Sequence, residues 1–227
     1  MTLVKIPAGT FAMGTGSMDY DWLGRSRPVH PVTISRAFFI GKYEVTQAQY
    51  EAVMGVDPSF FTGDNNRPVE QINWNEATAF CEALKIKSGY NVHLPSEAQW
   101  EYACKADHGN EDTNYHFGND PHQLPDYAWH GVNSGGTTWA VGKKLPNSFG
   151  LYDMCGNVWE WCNDWYAEDY YSSSPSTDPP GPSSGTLRVL RGGAYNSFEY
   201  SCRSASRHYG VPSEADADYG FRVVVGE

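Results

Sequence analysis

Asn147-Ser148-Phe149-Gly150-Leu151-Tyr152-Asp153-Met154-Cys155-Gly156-Asn157-Val158-Trp159-Glu160-Trp161-Cys162-Asn163-Asp164-Trp165-Tyr166 is the stretch from which the rest of the chain can be read. Its Tyr152, Trp159, Trp161, Trp165 and Tyr166 are interleaved with Asp153, Asn157, Glu160 and Asp164, a filling too polar for an ordinary core segment. Large rings bury much area yet carry N–H and O–H groups that need partners. The stretch is therefore expected to form a rigid platform of rings and carboxylates.

The composition around it sets the bounds. A chain of 227 residues, 40% hydrophobic, can bury one sizeable core, which predicts a single domain over 1–227. With 15% aromatic residues, 23 Gly and 14 Pro, that core is built from ring clusters and turns, giving a loop-rich α+β fold. The formal net charge of −11 leaves no basic face for phosphate, which excludes nonspecific nucleic-acid binding. No run of about 18 apolar residues is present, so no membrane insertion is expected. Residues 1–7 lack the apolar run of a signal peptide. Cys81, Cys104, Cys155, Cys162 and Cys202 cannot all pair within one chain and form no C-x-x-C, so they read as small buried hydrophobes rather than a zinc knuckle.

Upstream, residues 4–14 alternate between glycines and predict an edge hairpin. Residues 38–46 read as a β stretch ending at Thr46, the N-cap of a helix over 47–54 that Gly55 stops. Residues 56–67 are a loop. A second helix is expected from about Asn75 as cap to Gly89, with Ala77, Phe80, Cys81 and Leu84 on its inner face. After a short strand at His93-Leu94, Ser96 and Gln99 form a capping box opening a helix that turns Trp100 and Ala103 inward. Residues 107–144 read as long surface loops. Their His108, His116, His122 and His130 have no i+4 partner and no neighbouring cysteine, so they read as surface or loop histidines rather than metal ligands.

Downstream, residues 170–185 form a Ser/Pro/Gly-rich loop. Residues 187–191 read as a buried strand running into the tight turn of Gly192-Gly193. Residues 202–207 and 220–225 supply the last strands, with Phe221 and the valines in the core. Between these blocks lie 194–201 and 208–219, drawn largely from Tyr, Ser, Asn, Asp, Gly, Ala and His. That is the vocabulary of a paratope, in which tyrosine gives rigid contact area and small polar residues adapt.

Gly150-Leu151-Tyr152-Asp153-Met154-Cys155-Gly156-Asn157-Val158-Trp159-Glu160-Trp161 resembles the signature of the formylglycine-generating enzyme type of C-type lectin fold, the sulfatase-modifying-factor family. The resemblance extends from Pro7-Ala8-Gly9-Thr10-Phe11 through 68–102 to Gly220-Phe221-Arg222. It implies two main helices and short antiparallel strands. In the oxidases of this family, two cysteines shortly after the glycine pair act on a substrate thiol and bind copper. Here Gly192-Gly193 is followed by Ala194, Tyr195, Asn196 and Ser197, with no cysteine before Cys202. A lone thiol cannot form the two-sulfur site that Cu(I) favours, so no copper is expected. Relatives that form sulfur–carbon bonds hold their iron on an additional helical domain, for which this chain has no room. Some relatives carry a disulfide at positions resembling Cys104 and Cys202. The enzymes also imply a calcium ion at the Asp153 carboxylate, the Gly156 and Val158 carbonyls and the Glu160 carboxylate. The alternative is that Asp153 and Glu160 accept hydrogen bonds from backbone and from Arg191 or Arg207.

Within the family the chain looks most like the variable proteins of diversity-generating retroelements, whose variable codons lie in the last stretch before Gly-Phe-Arg. Mutation at the adenines of Asn codons yields the residue types that fill the two pieces, Glu199 and Glu214 excepted. The resemblance implies a non-catalytic, receptor-like protein with a binding region over about 194–219. Its ligand-binding candidates are Tyr195, Asn196, Ser197, Phe198, Tyr200, Ser201, Ser206, His208, Tyr209, Gly210, Ser213, Asp216, Asp218 and Tyr219. The expected partner is a macromolecule, a protein, bound by a monomer. The chain is expected at the cell surface or secreted if a segment outside it anchors it, and otherwise in the cytoplasm. The competing class is an enzyme: a divergent thiol oxidase using Cys202, or a hydrolytic relative.

Overall fold

Each main helix is set by its own caps. In the computed structural model, which describes residues 1–16, 25–106 and 113–226, α1 (Gln47–Met54) opens on a capping box of Thr46 with Gln49 and ends at Gly55, with φ of 80°. Ser96 and Gln99 do the same for α3 (Glu97–Lys105). The second helix, α2 (Trp74–Ser88), begins earlier than the sequence pattern places it. Its cap is Asn73, not Asn75, because Asn73 and Glu76 exchange side-chain and backbone hydrogen bonds. The expected inner face holds: Ala77, Phe80 and Cys81 are buried, and Leu84 packs against the same cluster. A fourth helix, α4 (Leu124–Tyr127), interrupts the loops after residue 113.

The first strands do not form a hairpin. β1 (Leu3–Ile6) pairs with β4 (Phe38–Gly41), and β2 (Gly9–Met13) pairs with β3 (His30–Ile34). Pro7-Ala8 lies between β1 and β2, where the chain passes from one sheet to the other. β5 (Asn91–His93) and β10 (Val224–Gly226) complete the first sheet in the order β1-β4-β10-β5. The second four-stranded sheet has the order β8-β7-β6-β9, built from β6 (Trp159–Trp165), β7 (Arg188–Arg191), β8 (Arg207–Gly210) and β9 (Tyr219–Gly220). The 170–185 loop is pinned: its Ser176 carbonyl accepts from Thr33 N–H at 2.8 Å and Asp178 N–H donates to Thr33 O at 2.9 Å.

The platform forms the centre of this arrangement. Asn157, in a left-handed conformation with φ of 63°, donates from Nδ2 to Glu44 Oε2 at 2.6 Å and accepts at Oδ1 from Trp139 N–H at 2.9 Å. Buried arginines clamp the second sheet to α3, and the segment after β9 to β6. Arg207 holds Glu97 at 2.6 and 2.9 Å, Arg191 holds Glu101, and Arg222 holds both oxygens of Glu160 at 2.6 Å.

Two further buried carboxylates make stability depend on pH. Burial, with Glu97 nearby, pushes Asp164 up to about 7 although it accepts from Glu97 N–H at 2.8 Å. Burial likewise raises Glu70 to about 7 against the hydrogen bonds it takes from Phe60 and Phe61 N–H at 3.0 and 2.9 Å. Both folded values lie above the unfolded ones, so their stabilisation is fully present below the ordinary carboxylate range and is lost as pH rises through about 7. The melting temperature is expected to be higher near pH 5.5 than near pH 8, by roughly 4–8 °C. A melting curve that is flat across that window would contradict this.

Candidate ligand-binding groove

The two polar-aromatic pieces converge where β7 ends. Gly192 and Gly193 turn the chain with φ of 97° and 78°, and a Cβ on Gly193 would lie 2.7 Å from Cys202 Sγ, so no other residue fits there. The chain beyond is fastened at its base. Tyr195 N–H donates to Asn157 O at 2.8 Å, Ser134 Oγ donates to Tyr195 O at 2.6 Å, and Gly131 N–H donates to Ser197 O at 2.8 Å. Asn196 Nδ2 reaches across to Asp218 Oδ2 at 3.0 Å and ties the first piece to the second.

Between the pieces lies a groove of about 570 Å³. Trp159 forms part of its wall, with His208 against it at 4.9 Å between centroids. Phe198, 65% exposed, and Tyr200 stack at 5.5 Å and 19°. Of the expected ligand-binding residues, Asn196, Ser197, Phe198, Tyr200, Ser201, Ser206, His208 and Asp218 line the groove. The others do not. Tyr195 sits beside it, edge-on to Phe61 at 5.1 Å. Tyr209 leans on Tyr166 at 4.6 Å, and Tyr219 packs edge-on to Trp161 at 5.3 Å. Gly210 is buried, with Trp161 2.6 Å from where its Cβ would be. The Tyr209 ring stacks on His208 at 5.5 Å and 24°, so it backs the groove-lining imidazole without lining the groove itself. Ser213 and Asp216 are exposed outside the groove lining, in a turn anchored through Asp216 O to Gln71 N–H at 2.9 Å.

The groove also recruits residues that no pattern in the sequence singles out. Thr113 and Asn114 enter from the long loops, and Ser204 N–H donating to Asn114 O at 2.9 Å brings them there. Arg25, Ser26, Arg203 and Arg207 also line the groove. Burial is the main cause that raises Asp218 to about 6 and lowers His208. Of the four histidines, His116 and His130 are buried rather than surface residues, His122 is exposed, and His108 lies outside the described residues. His116 packs edge-on to Phe117 and Tyr127 at 5.1 Å.

The cysteine on which a thiol-oxidase reading depends is enclosed in the protein. Cys202 is fully buried and its thiol is pushed up to about 12 by desolvation, so it supplies no thiolate. All five cysteines are free and buried. Cys104 and Cys202 are not bridged; Cys104 hydrogen-bonds Cys155, and Cys155 packs in one cluster with Cys202.

At the implied calcium position the Glu160 carboxylate is already committed. Both Glu160 oxygens are taken by Arg222, and Oε2 also accepts from Trp100 Nε1 at 2.8 Å. Asp153 accepts at Oδ2 from Gly142 N–H at 2.7 Å, which leaves Oδ1 buried without a partner. Among the described residues no group of three or more His, Cys, Asp or Glu is arranged to hold a metal ion. The arginine that satisfies Glu160 is Arg222, not the expected Arg191 or Arg207.

Comparison with known proteins places this architecture. Residues 1–226 match the family described as the sulfatase-modifying factor enzyme 1-like domain. Among solved structures, Treponema denticola variable protein 1 is 35% identical, with a TM-score of 0.90 over 99% of this chain and 94% of that one. PvdO from Pseudomonas aeruginosa is 27% identical, with a TM-score of 0.88 over 99% of this chain and 94% of that one. The formylglycine-generating enzyme of Streptomyces coelicolor is 36% identical over 180 residues, 72% of this chain and 54% of the relative, so the chain spans about half that enzyme's length.

Proposed function

We propose that this chain, which belongs to the sulfatase-modifying factor enzyme 1-like family, is a non-catalytic binding protein that presents a diversified surface to a protein ligand. The observation that carries this reading is the groove. Exposed rings and small polar side chains of 196–208 and Asp218 converge there, while the backbone beneath them is fixed by Asn157, Ser134 and Gly131. A surface of rigid aromatic area and adaptable hydroxyls on a fastened backbone binds with little ordering cost and tolerates substitution at its exposed positions. The similarity to a solved relative named a variable protein supports the same reading. The net charge of −11 favours a protein over nucleic acid as partner.

The other members of the family named as formylglycine-generating enzymes motivate the second reading, a thiol oxidase. It requires an accessible thiolate, and Cys202 is the cysteine nearest the glycine pair in sequence. The discriminating experiment is Cys202→Ser, assayed for ligand binding and for oxidation of a cysteine-containing peptide with Cu(I) present. Binding unchanged by the substitution and no oxidation by either protein are expected. Peptide oxidation by the parent protein that disappears in Cys202→Ser would overturn the binding reading.

A further inference from the structure

We infer that the protein ligand is gripped by a second, fixed element beside the groove: an aromatic row of Phe60, Phe61 and Tyr195 in acidic surroundings, fitted to a basic segment that carries an apolar side chain. This rests on the binding reading above and extends it to residues encoded far from the C-terminal pieces.

Phe60 is 67% exposed, yet the loop that carries it is organised. Glu70, fully buried, accepts from the N–H groups of both Phe60 and Phe61. Gln47 Nε2 donates to Phe61 O at 2.8 Å, and Ala48 N–H donates to Asn65 O at 3.0 Å. A buried carboxylate and a buried amide are thus committed to presenting an apolar ring to solvent. An exposed ring contributes little to the core, and a ring held in place loses little entropy when a ligand covers it.

The rings are continuous with the groove. Phe60 meets Phe61 edge-on at 5.0 Å and 82°, and Phe61 meets Tyr195 at 5.1 Å and 84°. The next residue, Asn196, lines the groove and holds Asp218. A ligand seated over Phe198 and Tyr200 therefore has a second apolar ledge within reach on the same face.

Charge selects the kind of ligand. Asp57, exposed on the loop that carries the rings, accepts from Ser59 N–H at 3.1 Å, and Asp216, exposed, holds Gln71 N–H beside Glu70 through its carbonyl at 2.9 Å. Burial first, and then Asp218, Asp216 and Glu70, raises the Tyr195 hydroxyl. Asp57 acts on Glu70 from the same loop. Arg67, whose charge acts on Glu70 in the opposite sense, is turned to Thr137 Oγ1 at 2.8 Å and to the Thr138 carbonyl. Lysine or arginine flanking an apolar side chain complements this field, and the match would favour encounter as well as fit.

The test is an NMR titration of the full chain with two short peptides, acetyl-Lys-Phe-Lys-amide and acetyl-Glu-Phe-Glu-amide. The basic peptide is expected to shift the Phe60, Phe61 and Tyr195 signals and to bind about tenfold more tightly than the acidic one. Phe60→Ser, at an exposed position, is expected to weaken the basic peptide about tenfold without changing the melting temperature. Shifts confined to Phe198, Tyr200 and His208 would overturn this inference and leave the groove reading standing. Equal binding of both peptides, no shift in the row, or indifference to Phe60→Ser would also overturn it. Failure of the groove reading shows separately, as ligand binding that survives loss of Phe198 and Tyr200.

Discussion

Replacing Arg222 with methionine is expected to cost about 3–5 kcal/mol of folding stability, the range for removing one partner of a buried ion pair. Arg222 is fully buried, holds both oxygens of Glu160, and donates to the carbonyls of Gly41 and Tyr152 at 3.1 Å each. It thereby joins the segment between β9 and β10 to β4 and to the central platform. It is also the counter-charge for Glu44 and Asp153, which burial already pushes above the ordinary carboxylate range. Without it three carboxylates share one pocket. Two consequences distinguish this from simple loss of packing. The cost should shrink toward acidic pH, where the carboxylates can take up protons, and Glu160→Gln in the same chain should restore part of it. Urea denaturation of the parent, the single variant and the double variant measures both. A loss below about 1 kcal/mol, or no rescue by Glu160→Gln, would contradict the assignment.

Replacing Phe198 and Tyr200 together with serine is expected to weaken ligand binding by about 10²–10³-fold, from roughly 2 kcal/mol per anchoring ring. These rings stack on each other at the groove and stand largely outside the core. The backbone below them keeps its hydrogen bonds from Gly131 and Ser134, so the melting temperature should barely move. A Tyr209→Ser change is the control. Its ring leans on Tyr166, and a cation–π contact of 5.3 Å joins it to Arg25, so it should trade stability rather than direct contact. Binding measured against immobilised ligand, with thermal melts alongside, reads both. Unchanged affinity in the double variant would remove the groove from the account.

What could be read from the sequence was mostly what is settled locally. Thr46 with Gln49 and Ser96 with Gln99 name their helix starts because a capping box is complete within a few residues. The same logic misplaced the start of α2 by two residues, since Asn73 and Asn75 both look like caps and only Asn73 has Glu76 three residues on. Strand pairing is not local. Residues 4–14 alternate as a hairpin should, yet β1 and β2 each find a partner more than fifteen residues away. The partner of Glu160 was missed for the same reason: Arg222 lies 62 residues along the chain and is brought in by the pairing of β6 with β9.

The candidate site divides the same way. Composition picked out two C-terminal pieces that converge on the groove, but it could not separate residues facing the groove from residues packed behind it. Tyr209, Gly210 and Tyr219 have the vocabulary of contacts and are held against Tyr166 and Trp161. Thr113 and Asn114 lie far from the C-terminal pieces in sequence and are held at the groove by contacts such as Ser204 N–H to Asn114 O and Tyr115 Oη to Glu199 O.

The central claim, a diversified binding surface on a fixed scaffold, is tested most directly by deep sequencing of codons 194–219 in a population of the source cells. The structure sharpens the expected result. Adenine-position substitutions should concentrate at exposed groove positions such as Asn196, Phe198 and Tyr200, and the buried Cys202, Arg207 and Gly210 should stay unchanged. An invariant 3′ end, or substitutions spread evenly over buried and exposed codons, would contradict the account.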